Sequence, residues 1–309
     1  MLGRNKVGDT GTMDKRLSDV SLKFQNEQSD FIFDKVLTPL IVNTTTGNIA
    51  RYRGEELKEQ ANETAWGVRP GQSITTMDDD LVYNLRRYAG QYRVLDIEQT
   101  NAVGGPISPL EDAVEDATHT MMIKMENVCS RMFSSQTASK TLSGSSKWSE
   151  DTSNPLDDIK VARQALSAVG KIPNVAVMNY NGYLALVEHP SIAALLPSNT
   201  HGVPMEEDLK KILRVDRIVI SRVNGDSTRL GETAVKSFVW SDDFYLAHIP
   251  TTKRRAMTTF GFYITLSGYT NRTLTEYDEL AGATLVQSET AAQFLPVDTE
   301  NLYRIANVI

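Results

Sequence analysis

The residues of this chain whose types could do chemistry are four histidines (His119, His189, His201 and His248), one cysteine (Cys129) and several adjacent carboxylates. A zinc centre or an activated nucleophile needs two or three such groups to converge, often at short spacings such as His-Glu-x-x-His. No such spacing occurs. The histidines stand far apart, and Cys129 has no second cysteine for a disulfide or a zinc cluster. Cys129 reads as a small buried hydrophobe, His119 as a residue on a helix surface, and His248 as a packed or hydrogen-bonded strand residue.

Phosphate-cradling glycine motifs are missing as well. The turn-rich stretch from Gly225 to Gly231 has neither the lysine nor the following long helix that a phosphate loop requires. Ser143 to Ser146 form no Gly-x-Ser-x-Gly elbow. Asp78, Asp79 and Asp80 lack the glycine and distal glutamate of a calcium loop and read as a solvated acidic turn. The pairs Asp242/Asp243 and Glu206/Glu207 fit polar turns and a helix start, where compensation of the helix dipole explains them. The expectation is no catalytic, cofactor-binding or metal-ligating residue, and no enzyme.

Composition narrows the alternatives. A chain of 309 residues can bury a sizeable core. Its net charge of −7, with charges of both signs mixed along it, argues against a dedicated nucleic-acid reader, which needs a clustered basic face. The opening residues lack the apolar run of a signal peptide, and no later stretch approaches the roughly 18 apolar residues of a membrane span. The expectation is a soluble protein made in a reducing cytoplasm, where the sequons at Asn43, Asn62 and Asn271 carry no glycosylation signal.

The elements that would position functional groups are uneven in character. Residues 1–30 are too polar to hold a core and read as an extended arm. Residues 31–42 form the first dense apolar block, a helical turn and a short strand split at Pro39. From about 44 to 85 the chain is polar, and a segment this long with so few apolar anchors is either disordered or ordered by something outside the subunit. Strands at 49–53 and 88–97 flank it, which predicts a long two-stranded ribbon projecting from the body. Its Arg53, Glu56, Lys58, Glu59, Trp66 and Arg69 are the expected inter-subunit contacts, together with Asp226 and Arg229 in the later turn-rich loop 224–232.

The clearest single element begins at Ser108. Ser108 at the N-cap, Pro109 at the first helical position and the acids Glu111, Asp112, Glu115 and Asp116 near the positive end of the dipole open a helix that runs to about residue 133. Leu110, Ala113, Val114, Ala117, Met121, Met125, Val128, Met132 and Phe133 make its apolar stripe. A second helix is predicted at 156–169, closed by Gly170. Strands follow at 174–178, 217–223, 237–240 and 244–249, with short helices at 182–188, 191–196 and 205–213. Strands at 262–266 and 302–308 finish the chain.

In this order the elements, and the phrases they carry, resemble the major capsid proteins of tailed bacteriophages. Phe33-Asp-Lys-Val-Leu-Thr-Pro-Leu-Ile-Val before Gly47-Asn-Ile-Ala-Arg-Tyr is similar to the passage from arm to ribbon, and Val68-Arg-Pro-Gly-Gln72 to the ribbon's turn. Trp148 through Asn154-Pro-Leu-Asp-Asp-Ile159 resembles the lead into the second helix. Val239-Trp-Ser-Asp-Asp-Phe-Tyr-Leu-Ala-His-Ile-Pro250, Phe260-Gly-Phe-Tyr263 and Leu302-Tyr-Arg-Ile-Ala306 resemble the closing pattern. The resemblance covers about residues 30–309.

It implies an α+β subunit with an N-terminal arm (1–40), an extended β-ribbon loop with flanking strands (41–98), a peripheral lobe with a long spine helix (99–172) and a mixed α/β axial lobe (173–248). Returning strands (249–309) would complete both lobes. It also implies a homo-oligomer of hexamers and pentamers that closes an icosahedral shell around double-stranded DNA without sequence-specific binding. A separate scaffold, a portal and decoration proteins would be the partners, with no membrane and no cofactor. The subunit would be assembled in the host cytoplasm and located in the virion. An encapsulin-like nanocompartment shares this fold and is the alternative.

Overall fold

The computed structural model describes residues 12–13, 30–52, 66, 69, 77–102, 108–137, 139–195, 204–226, 235–250 and 259–309. In chain order the first half holds β1 (Thr12–Met13), β2 (Thr38–Val42), β3 (Thr46–Tyr52), β4 (Met77–Asn84), β5 (Arg86–Leu95), α1 (Asp96–Asn101), α2 (Pro109–Ser134), β6 (Lys140–Thr141) and α3 (Pro155–Ala168). The second half holds β7 (Val175–Asn179), α4 (Tyr180–Glu188), α5 (Pro190–Ala193), α6 (Glu206–Leu213), β8 (Arg217–Ser221), β9 (Asn224–Asp226), β10 (Lys236–Phe238), β11 (Phe244–Ala247), β12 (Gly261–Leu266), β13 (Arg272–Asp278), β14 (Ala283–Pro296) and β15 (Leu302–Ala306).

Two sheets share one core through α2. The first is organised by β14, which pairs along one edge with β5 and along the other with β13 and then β12, all antiparallel. Edge strand β2 joins β12 in parallel, and β1 pairs with β13. The second sheet runs β6-β15-β11-β7-β8. Every residue of β7 and β11 is buried, because these central strands are covered on both faces. Alternate residues separate accordingly: Val175, Val177, Tyr245 and Ala247 join the cluster of Met121, Met125, Cys129 and Phe133, while Ala176, Met178, Phe244 and Leu246 pack with Ile159, Leu166, Leu186 and Leu213 under α3 to α6.

Helix α2 forms where its sequence predicts, over 26 residues with Pro in its first turn and Ser108 as N-cap in extended backbone. Its buried set is broader than the expected stripe: Met122, Cys129, Thr118, Ser130 and Glu126 are buried too, while Leu110, Val128 and Met132 are only partly buried. The helix comes unusually close to the first sheet. A Cβ on Gly90 of β5 would lie 2.1 Å from the Ala117 carbonyl oxygen, so only glycine permits this approach. Beside it Thr118 Oγ1 and Ser288 Oγ are 2.9 Å apart in a buried hydrogen bond between helix and β14.

Four expectations need correction. The ribbon pairs β3 with β4, whereas the strand expected to return it, β5, belongs to the first sheet through ten consecutive pairs with β14. Asp78 to Asp80 therefore lie in a strand and not in an acidic turn. Pro39 does not split β2, because β2 is an edge strand with one side unpaired, where a missing N–H is tolerated. Finally, β13 and β14 carry no signal as predicted strands, although β14 is the hub of its sheet. Its Gln, Ser, Glu, Thr and Ala residues blur the alternation, and tertiary contacts bury the run from Ser288 to Ala292.

Candidate assembly surface

Four buried carboxylates fix the body against which any surface must be presented. Glu126 of α2 is fully buried. Its Oε2 accepts the N–H groups of Ile32 (3.1 Å) and Phe33 (3.0 Å), and its Oε1 accepts the Trp240 indole N–H and the Ser221 hydroxyl (3.5 Å). One side chain thus ties the segment before β2, the end of β8 and the turn before β11 to the helix. Desolvation pushes its pKa up to about 7, against the lowering effect of the Trp240, Ile32 and Phe33 hydrogen bonds.

Glu289 of β14, equally buried, is held by Arg87 from β5 and Arg272 from β13 (Nε, 2.8 Å), so three strands are joined at one carboxylate. Asp243 accepts from Arg304 (Nε, 3.0 Å), Tyr245 (3.1 Å), Ser241 (3.0 Å) and the Asn307 N–H (3.1 Å). Arg304 also donates to the Ser134 and Gln136 carbonyls, capping the negative end of α2. Asp243 is therefore a buried lock, not the polar-turn residue its sequence context implies. Asp158 takes the Trp148 indole N–H (2.9 Å) and Lys140.

The ribbon is attached differently. At its base the Tyr83 hydroxyl bonds Thr44 Oγ1 (2.8 Å), its ring covers Gly47 where any Cβ would clash at 2.6 Å, and the Asn84 N–H donates to Gln293 Oε1 (2.6 Å). Beyond the base, β3 and β4 pair only with each other among the described residues. Large apolar side chains stand in solvent near it: Ile41, Val82 and Trp66, the last fully exposed.

Of the expected contact residues, Trp66 and Arg69 are exposed and Asp226 belongs to β9, which pairs with β10 as a hairpin. Arg53, Glu56, Lys58, Glu59 and Arg229 lie outside the described residues. The exposed Ile41 and Val82 were missed by sequence reading, although alternation along β2 and β4 places them. Among the described residues no cluster of histidine, cysteine, aspartate and glutamate could hold a metal ion. His189 is buried and bonds Ser153, Ser191 and the Glu150 carbonyl, and His248 bonds the Ile172 carbonyl (2.6 Å). Glu206 and Glu207 stand at the start of α6 and pair with Lys210.

A model of the phage major capsid protein E family matches residues 129–261. A phage-related protein from Bordetella bronchiseptica RB50 superposes over 97% of this chain and 98% of its own, with a TM-score of 0.75 and 18% identity. The chain has the fold of a phage major capsid protein. The capsid of cyanophage P-SCSP1u covers 99% of this chain and 93% of its own with a TM-score of 0.61 and 8% identity. A virus-like particle from Pyrococcus furiosus covers 94% and 98% with a TM-score of 0.59 and 13% identity. No curated protein sequence matches the chain.

Proposed function

We propose that the chain is the major capsid protein of a tailed phage, a structural subunit without enzymatic activity that closes the icosahedral head around double-stranded DNA. The observation that carries this reading is a chain-long capsid fold in which the β3–β4 ribbon and the segment between its strands leave Val82 and Trp66 uncovered. Such a ribbon gains its order and burial on a neighbouring copy. Hexamers and pentamers, a scaffold, a portal and decoration proteins are the partners. Assembly takes place in the host cytoplasm, and the virion head is the final location. In the proposed division, residues 1–40 are the arm, 41–98 the extended loop, 99–172 the peripheral lobe, 173–248 the axial lobe and 249–309 the returning strands. Arg53, Glu56, Lys58, Glu59, Trp66, Arg69, Asp226 and Arg229 supply inter-subunit contacts.

The encapsulin-like alternative is not favoured, because the family match is to phage major capsid protein E. Co-expression with its scaffold, followed by sedimentation and electron microscopy, tests the reading. Closed shells are expected. Monomers or dimers alone would refute it.

A further inference from the structure

Two pockets of opposite charge lie at opposite ends of β7. The first opens beside Ile172 and Pro173, just before the strand, with a volume of about 570 Å³. Lys160, Arg163 and Gln164 enter it from one face of α3, at the three- and four-residue steps that align side chains on a helix. Arg214, the C-cap of α6, faces them in left-handed backbone (φ 53°), a conformation unfavourable for a residue with a Cβ. No acid lines this pocket, and none of the three cations has an ion-pair partner among the described residues.

The arrangement is electrostatically uncomfortable on its own. Burial and the nearby Arg214 charge both lower the Arg163 pKa. Arg214 is accounted for by the negative end of the α6 dipole, but Arg163, in the middle of α3, has no such compensation. Two guanidiniums held together without an anion describe a half-made contact.

The second pocket, about 290 Å³, opens beside Asn181, just after β7. Asp151 and Glu188 are exposed at it with no ion-pair partner among the described residues, and Leu184 and Ala185 supply an apolar floor. Lys147 at the same end is engaged with the Ile309 carbonyl (2.7 Å), and both ring nitrogens of His189 are occupied. The five residues of β7 separate the pockets by about 17 Å of strand. Each thus pairs charge with apolar surface: the cationic pocket includes Ile172, 77% exposed, and Ile212.

We propose that the two pockets are halves of one contact between copies of this chain, the Lys160, Arg163 and Arg214 pocket of one subunit receiving the Asp151 and Glu188 carboxylates of the next. The inference rests on the shell reading and deepens it. A contact that joins two different faces is heterologous, and repeated head to tail it generates a ring where the rotation between copies closes. The apolar residues beside each charged set favour a protein occupant over a nucleic-acid phosphate, which would gain nothing from Ile172.

Charge exchange tests this in the full chain with its scaffold. Arg163→Glu with Arg214→Glu, and separately Asp151→Lys with Glu188→Lys, should each lower shell yield by about tenfold or more while shifting the subunit's thermal melting by no more than about 3 °C, the loss of the Arg214 cap on α6 included. All four substitutions in one chain should restore shells, and mixing the two double variants, which must alternate around a ring, should restore six-membered rings but not the five-membered rings of a closed shell. Normal assembly of either double variant would overturn the proposal, as would failure of both the combined chain and the mixture. Normal empty shells with impaired DNA filling, confined to the arginine variant, would assign the pocket to phosphate instead and equally overturn it. If the unaltered chain formed no shells, the failure would belong to the proposed function.

Discussion

Helix α2 and the β3–β4 ribbon are both long, mixed in polarity and legible in the sequence, yet they place their groups in opposite ways. On α2 three polar residues are buried and each is bonded: Thr118 bonds Ser288, Ser130 bonds the Val239 carbonyl, and Glu126 gathers hydrogen bonds from Ile32, Phe33, Ser221 and Trp240. On the ribbon and beside it even apolar residues are exposed, among them Val82 and Ile41, and Tyr83 is buried at the base. The helix is satisfied within the subunit. The described part of the ribbon is not, as the proposed contact with a neighbouring copy requires.

The largest effect expected from this contrast is on the helix. Met121 is 1% exposed in the cluster that joins both sheets. Met121→Asp would bury an unpaired carboxylate there and should cost more than about 4 kcal/mol, so that no soluble folded subunit is recovered. Near-normal yield and melting would show that the helix face is not the keystone of the core.

A smaller loss is expected at Glu126. Glu126→Ala leaves the Ile32 and Phe33 N–H groups and the Trp240 indole without their acceptor and should lower stability by about 3 kcal/mol at neutral pH, measured by denaturant unfolding. The pH dependence has a definite sign. The buried carboxyl titrates at about 7 against an ordinary value of 4.5, so between these limits the folded chain holds a proton that the unfolded chain releases. Glu126's contribution to stability is therefore greatest at the acid end, falls as pH rises through that window, and is level above it. Glu126→Gln should flatten this part of the profile, and an unchanged slope would assign it to another group.

The smallest effect on the subunit, and the largest on assembly, is expected at the ribbon. Replacing residues 56–80 by a short Gly-Ser turn should leave the melting temperature within about 2 °C of the original while abolishing shells. Unfolding of the shortened chain would erase the contrast, because the ribbon would then belong to the core.

Local chemistry sufficed for the elements whose signals are contained within a few turns of chain. Ser108 and Pro109 with the following acids marked α2, Gly170 closed α3, and the dense apolar runs of β7 and β11 declared buried strands. The absence of any motif for chemistry was equally a sequence property. Partners separated by long stretches of chain were another matter. Which strand returned the ribbon depended on competition between β4 and β5, and β14 claimed β5 through ten pairs that no local pattern announces. β14 itself was invisible because its Glu289 reads as a surface residue until Arg87 and Arg272, 202 and 17 positions away, neutralise it. Glu126 likewise looked like one more polar position on a helix, and only the convergence of Ile32, Ser221 and Trp240 made it a buried junction. The sequence by itself determined the capped helices α2 and α3 and the densely apolar strands β7 and β11, since propensity, capping and periodicity act over a few residues. Tertiary structure alone decided which charges could be buried, since desolvating a carboxylate is tolerable only where distant donors meet it.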